Sequence, residues 1–187
     1  MDSWTLQKGY PFLQVERHIN GTALLTQRRF LFGRLSSKRK HEMKYKWWIP
    51  ITFTTQDRPS FRHTRAQTWL RQEDDSLQVT GLPPQDKWVI FNLQQTGYYR
   101  VNYDQTTWML LISQLHTDHE VIFVTNRAQL IDDSMNLART GIIPYNIALQ
   151  LLSYLRKETE YVPWKAGLRN LKYVKKDAGN YQRFWAL

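Results

Sequence analysis

Near Asp104 the spacing of apolar residues changes from every second position to every third or fourth, and no single regular element follows both periods. The 187-residue chain is therefore expected to divide into a strand-rich part, 1–103, and a helical part, 104–187. Before the change, Ile49, Ile51 and Phe53 alternate with Pro50, Thr52 and Thr54, and Val89, Phe91 and Leu93 alternate with Ile90 and Asn92. These runs read as strands with one well-buried face. Leu13 and Val15 lead into Asn20-Gly21, which predicts a type I′ turn and a partner strand over 22–26. Further short strands are expected at 66–71, 76–80 and 98–103, separated by Gly81-Leu-Pro-Pro84 and Thr96-Gly97. So many short antiparallel strands predict an antiparallel β-sandwich.

After Asp104, Trp108, Leu111 and Leu115 share one helical face, and Ala128, Ile131, Met135 and Ala138 form a second stripe that stops at Gly141. Glycine is the residue best suited to a left-handed helix C-cap. Pro144 sits where a new helix can start, with the stripe Ile147, Leu151 and Tyr154, and Pro163 repeats the device before Leu168, Leu171 and Val174. The helices read as two hairpins. Helical hairpins seldom bury their apolar faces alone, so these are expected to be the first units of a longer armadillo- or HEAT-like superhelix. The fold class predicted is thus α+β and multidomain: a sandwich followed by an incomplete helical stack.

Hydrophobic residues make up 42% of the chain and aromatics 14%, too much bulky apolar surface for an intrinsically disordered segment. The absence of cysteine excludes a disulfide framework, an iron–sulfur cluster and a cysteine nucleophile. The longest apolar run, Trp108–Ile112, is far too short to span a bilayer, and the first residues lack a signal-peptide pattern, so the chain reads as soluble as written. The net charge of +10 raises the question of an acidic partner. Much of it lies between residues 28 and 46, where Arg28, Arg29, Arg34, Lys38, Arg39, Lys40, Lys44 and Lys46 face only Glu42. Phe30, Phe32, Tyr45, Trp47 and Trp48 are interleaved with these cations, and such surfaces bind single-stranded nucleic acid. Phe30 and Trp48 flank strands, however, and are expected in the sandwich core, which favours a solvated inter-strand loop over a nucleic-acid site.

No residue is assigned a catalytic, cofactor-binding or metal-binding role. His41-Glu-Met-Lys-Tyr45 has the outline of a zinc-binding H-E-x-x-H, but Tyr45 replaces the second histidine and the stretch has no helical stripe. His116 and His119 lack the further ligands that zinc requires and are expected to cap a helix. Asp132 and Asp133 are neighbours on a helix and point about 100° apart, which predicts a solvated face or a contact to an arginine rather than a shared substrate. No glycine-rich phosphate loop or G-x-S-x-G is present. Asn20-Gly21-Thr22 is an N-x-[ST] sequon on the predicted hairpin tip, so Asn20 is a candidate for N-glycosylation if the chain is secreted.

Several longer strings carry a specific resemblance. Met1-Asp-Ser-Trp-Thr-Leu-Gln-Lys-Gly-Tyr-Pro11, Gln27-Arg-Arg-Phe-Leu31, Trp48-Ile-Pro-Ile51, Thr96-Gly-Tyr-Tyr-Arg-Val-Asn-Tyr-Asp104, Asn126-Arg-Ala-Gln-Leu-Ile-Asp-Asp-Ser134 and Tyr161-Val-Pro-Trp164 resemble, in order and spacing, the zinc metallo-aminopeptidases typified by aminopeptidase N. The resemblance implies the small β-sandwich and the start of the C-terminal helical domain of such an enzyme. The G-A-M-E-N and H-E-x-x-H motifs, the zinc they hold and the transition-state tyrosine belong to a catalytic domain that this chain lacks, and neither Tyr98 nor Tyr99 is that tyrosine. The chain is accordingly expected to be an inactive, non-catalytic part of a hydrolase that removes N-terminal residues from peptides. Its expected partners are the catalytic domain and the remaining helical repeats, and its setting a plasma-membrane or extracellular glycoprotein. Family members commonly have Met inside the chain at the place of Met1, which suggests a piece of a longer protein. The basic stretch near 36–46 and Arg28, where the family often has Glu, depart from the pattern. The alternative reading is a stand-alone basic module that binds an acidic partner or nucleic acid.

Overall fold

The computed structural model describes residues 2–32 and 45–184, with side chains over 4–32 and 45–175. A short helix α1 (Asp2–Leu6) precedes the two longest strands, β1 (Tyr10–His18) and β2 (Thr22–Phe30), which pair antiparallel from Tyr10↔Phe30 to His18↔Thr22. This register leaves Ile19, Asn20 and Gly21 as a three-residue loop, in which only Gly21 has a positive φ, 71°. A type I′ turn needs two such residues, so the expected two-residue turn is corrected to a three-residue loop with glycine at its left-handed position. Leu82 N–H donates to Gly21 O at 2.9 Å, tying the hairpin tip to the turn after β6.

The remaining strands are short: β3 (Ile49–Ile51), β4 (Phe53–Thr55), β5 (Thr68–Leu70), β6 (Leu77–Val79), β7 (Val89–Phe91) and β8 (Arg100–Tyr103). They form a four-stranded sheet in the order β6-β2-β1-β8 and two pairs, β3-β5 and β4-β7. Residues 49–55 run through both pairs and change partner at Thr52, whose carbonyl accepts from Asn92 N–H at 2.9 Å. The expectation of a wholly antiparallel sandwich is also corrected, because β8 pairs with β1 in parallel, from Phe12↔Arg100 to Val15↔Tyr103. The chain leaves β2, builds β3, β4 and β5, adds β6 at the outer edge of β2, builds β7, and returns beside β1 in the same direction. Its end is thereby pointed at the first long helix.

Two burial expectations fail for identifiable reasons. Trp48 is 41% exposed, whereas Trp47 is fully buried. The Gln27 side chain grips the backbone of Trp47 from both sides, accepting from its N–H at 2.7 Å and donating to its carbonyl at 3.0 Å. That clamp sets the phase so that Trp47, Ile49 and Ile51 point inward together. Similarly, Val89, Ile90 and Phe91 are all buried, with no alternation. Their second face is covered by helices: Trp88 Nε1 donates to Gln114 Oε1 at 3.0 Å and Gln129 Nε2 to Phe91 O at 3.3 Å.

Those helices are α2 (Gln105–Thr117), α3 (Val124–Arg139), α4 (Tyr145–Leu152) and α5 (Tyr161–Phe184), with a 3₁₀ segment over Ser153–Lys157. Asp104 caps α2, its Oδ1 accepting from Thr107 N–H at 2.8 Å, an N-cap arrangement worth about 1 kcal/mol. Gly141 ends α3 at φ 76°, and Pro144 caps α4. Pro163 falls in the first turn of α5, where its missing N–H costs no helical bond. The stripe residues Trp108, Leu111 and Leu115 of α2 and Ile131 and Met135 of α3 belong to the same apolar cluster as Leu13, Leu25, Ile51, Phe91 and Val101. One core thus runs through sheet and helices. By contrast, Leu168 and Leu171 on α5 are 52% and 39% exposed.

Gly97 lies just before β8, and a Cβ built there would sit 2.3 Å from Cε1 of Tyr99. Tyr99 has no room to retreat, since it is buried and its hydroxyl donates to Pro50 O at 2.8 Å. Gly97→Ala is expected to lower the unfolding free energy by about 1–3 kcal/mol, the usual cost of overpacking. Urea denaturation of the variant at neutral pH checks this.

Candidate functional site: the junction between sheet and helices

The string Thr96–Asp104 shows what its unusual composition is for, because nearly every side chain in it has a partner on another element. Tyr99 reaches the carbonyl of Pro50 on β3. The hydroxyl of Tyr103 accepts from Phe91 N–H at 3.0 Å, and its ring meets Trp108 edge-on at 5.1 Å. Asn102 links β1 to α2, donating to Gln14 Oε1 at 2.8 Å and accepting from Trp108 Nε1 at 3.0 Å. Arg100 points toward α3. Its Nη1 lies 2.7 Å from Asp132 Oδ2 and 2.9 Å from Asp133 Oδ1, and its Nε donates to the Tyr10 hydroxyl at 3.0 Å.

Helix α3 answers with a row of polar residues, Asn126, Gln129, Asp133 and Asn136, spaced by three and four, and all four are buried. Asn126 Oδ1 accepts from Gln94 N–H at 2.9 Å, and its Nδ2 donates to Asn92 O at 3.1 Å. Asn92, Gln94 and Gln95 have φ values of 61°, 53° and 54°, a left-handed turn that non-glycine residues adopt only at a cost of about 1–3 kcal/mol each. The Asn92 side chain offsets part of that cost by accepting from Gly97 N–H at 2.9 Å and donating to Tyr99 O at 3.1 Å. Asp133 Oδ2 accepts from Val101 N–H at 3.0 Å. The edge of β8 and the turn before it are therefore hydrogen-bonded to α3 side chains rather than to another strand.

Asp132 and Asp133 do not occupy a solvated face. They converge on one guanidinium, as the expected contact to an arginine requires. Asp132 also receives Arg169 Nη2 at 2.8 Å and Asn170 Nδ2 at 2.9 Å, which carries the junction on to α5. Burial works against the Asp132 carboxylate, yet Arg100, Asn170 and Arg169 hold it below the usual range. For Asp133, burial outweighs Arg100 and the Val101 N–H, and its carboxyl is pushed up to about 6. A second buried cluster ties α3 to the start of α5. Arg127 holds Glu158 through two bonds, Nε to Oε2 at 2.7 Å and Nη2 to Oε1 at 3.0 Å. Tyr154 OH donates to the same carboxylate at 3.1 Å, and Glu158 caps the N–H groups of Thr159 and Glu160.

The other sequence candidates stay apart. His116 Nε2 is 3.1 Å from Gln150 O, while His119 Nε2 faces Glu158 Oε1 at 3.9 Å. Among the described residues no group of three or more His, Asp or Glu side chains is placed to hold a metal ion. His41 and most of the basic stretch lie outside the described residues. Within it, Arg29 stacks on Tyr45 at 4.6 Å and Lys46 pairs with Asp75 at 2.8 Å. Asn20 is exposed on the hairpin loop, and Thr22 Oγ1 donates to its Oδ1 at 2.7 Å. No helix among the described residues is long and apolar enough to cross a membrane.

The side chains of β8 thus fix α3 at the edge of the sheet. Residues 88–184 match the ERAP1-like C-terminal domain family, more than half of the 187 residues, and the chain belongs to that family. It is 40% identical over 177 residues to the thyrotropin-releasing hormone-degrading ectoenzyme of Rattus norvegicus, a match covering 91% of this chain and 16% of that protein. It is likewise 40% identical over 178 residues to aminopeptidase N of Plutella xylostella, covering 93% of this chain and 18% of the relative. The same identity holds over 181 residues of human (Homo sapiens) aminopeptidase N, covering 94% and 17%. The chain spans less than a fifth of the length of these relatives.

Asp133→Ala is expected to cost about 3 kcal/mol at neutral pH, because it strips the buried Val101 N–H and part of Arg100 of their acceptor. Urea unfolding gives the value. Asp133 also makes a signed prediction about pH. Its folded pKa, about 6, lies above the ordinary 3.8. Its contribution is therefore fully present below pH 4 and is lost as pH rises toward 6, the reverse of Asp132 and Glu158, which are held low. The stability of the parent chain minus that of Asp133→Asn should fall between pH 4 and 6, by up to about 1.4 kcal/mol per pH unit. A difference that rises over that window contradicts the assignment.

Proposed function

We propose that the chain is a non-catalytic C-terminal part of a zinc-dependent aminopeptidase, a metalloprotease hydrolase that removes N-terminal residues from peptides. In this reading the β unit, 1–103, holds the helical unit, 104–187, over a catalytic cleft formed by polypeptide beyond this chain. Closing such a cleft sequesters substrate from water. In this reading the zinc that activates a water for attack on the peptide bond is held by that other polypeptide. The relatives' names support the class of reaction. The observation that carries the positioning role is the buried grip of Arg100 on Asp132 and Asp133, which fixes α3 and, through Asp132, α5 relative to the sheet.

The outward apolar residues Leu168 and Leu171 on α5 suit further helices of an armadillo- or HEAT-like stack. With the catalytic domain, those helices are the partners this reading assigns. A plasma-membrane or extracellular setting accords with the word ectoenzyme in one relative's name. It would make Asn20 a glycan acceptor, and its exposed loop leaves room for one.

The test is a chimera in which this chain replaces the matching segment of human aminopeptidase N. Hydrolysis of amino-acyl arylamides should be retained, and Asp133→Ala in the chimera should lower both activity and melting temperature. Full activity of a folded chimera whose junction has been broken in this way would refute the positioning role. The isolated chain is expected to release no product and to retain no zinc after dialysis. One tightly held zinc per chain, or turnover by the chain alone, would overturn the non-catalytic assignment.

A further inference from the structure

The outer face of β3 and β5 carries residues that neither the core nor the junction uses. Arg65, Gln67, Trp69 and Arg71 are exposed, while Leu70 is fully buried; Trp69 lies within β5, Arg71 directly follows it, and Arg65 and Gln67 lie in the bends that lead into it. On β3 the buried side chains are Ile49 and Ile51, and Trp48 and Pro50 lie on the opposite face. Pro50 stands opposite Trp69 in the strand pair. Trp48 and Trp69 are 41% and 47% exposed, with ring centroids 6.5 Å apart and planes at 62°. The Arg71 guanidinium lies 5.8 Å from the centre of the Trp48 ring. Between Asp57 and Glu73 the chain has four arginines, Arg58, Arg62, Arg65 and Arg71, and no acid. Among the described residues none of the four takes part in a salt bridge of the fold.

Two large aromatic side chains beside unpaired guanidinium groups, on a rigid strand pair, have the composition of a binding hot spot. Two exposed tryptophans side by side leave apolar surface in water. The charge selects an anionic partner. The geometry selects among anions: rings steeply inclined to one another do not offer the parallel platforms on which successive bases stack. Trp69 and Arg71 instead form a short row, two residues apart along β5 and its end, that matches the side-chain period of an extended polypeptide. β5 also ends its sheet among the described strands, so a segment laid along it meets both the row and a free strand edge.

We propose that Trp48, Trp69, Arg65 and Arg71 form a docking surface for an extended acidic polypeptide segment. Its carboxylates pair with the two arginines, and the aliphatic part of the chain between them rests on the indoles. The proposal does not depend on the aminopeptidase reading.

The probe is poly-L-glutamate, followed through the indole N–H signals of Trp48 and Trp69 in ¹⁵N-labelled chain at physiological salt. Both signals should shift saturably. In Arg65→Glu/Arg71→Glu the apparent affinity should fall about tenfold or more, the loss expected on removing central charged contacts. In Lys38→Glu/Lys40→Glu it should change by less than about twofold, which separates this face from diffuse attraction by the basic stretch. All four substituted side chains are polar and Arg65 and Arg71 are exposed, and circular dichroism confirms that each variant is folded. Absence of a shift at these indoles overturns the proposal. So does equal binding by the Arg65/Arg71 variant, or a stronger response of the same indoles to oligothymidylate or heparin.

Discussion

One guanidinium decides how the two halves of this molecule meet. Arg100 leaves the last strand, enters a largely buried site on α3 and is met there by two carboxylates within 2.9 Å. An arginine without them would be an uncompensated buried charge, and the carboxylates without it would repel each other, so each side of the contact needs the other. The orientation of α3 follows, because Asp133 also takes the Val101 N–H and Asn126 takes the Gln94 N–H. From α3 the constraint passes through Asp132 to Asn170 and Arg169, and through Arg127 to Glu158. Sheet, central helix and last helix are thereby held by directional bonds, while the shared apolar core supplies the non-directional stabilisation.

Much of this architecture was legible in the sequence, and the failures share a cause. The period change near Asp104, the Gly141 stop and the proline starts at Pro144 and Pro163 are local signals, set by backbone chemistry, and the structure keeps them. The misreadings concern surfaces whose covering comes from elsewhere. Ile90 reads as outward by alternation but is fully buried, and α2 and α3 bond to its neighbours Trp88 and Phe91. Trp48 looked like core, but the Gln27 clamp on Trp47 shifts the phase by one residue. β8 looked like one more antiparallel strand, but its direction is set by a return crossing that no local pattern records.

The junction itself was visible only as motif strings. In α3 the apolar stripe at 128, 131, 135 and 138 is accompanied by a polar stripe at 126, 129, 133 and 136, about 200° around the helix. A sequence reading gives such a face to water. Here it is buried, because β8 and its preceding turn present unpaired backbone groups that only those side chains satisfy. Asn and Gln within a polar stripe, rather than Lys and Glu, are the signal that could have marked it. The same logic separates structural from chemical polarity: every buried carboxylate of the junction is taken up by an arginine or a backbone N–H.

Native-state hydrogen exchange followed residue by residue on the intact chain tests most directly whether sheet and helices are one unit. If the Arg100 junction locks them together, the amides of Val101 and Gln94, those in the middle of α3 such as Ile131, and those of the β1–β2 pairing will exchange through the same opening. Their opening free energies will then equal that of global unfolding. An opening that releases Ile131, Val101 and Gln94 together at markedly lower free energy, while the β1–β2 amides stay protected, would contradict it and leave the sheet as an independent body.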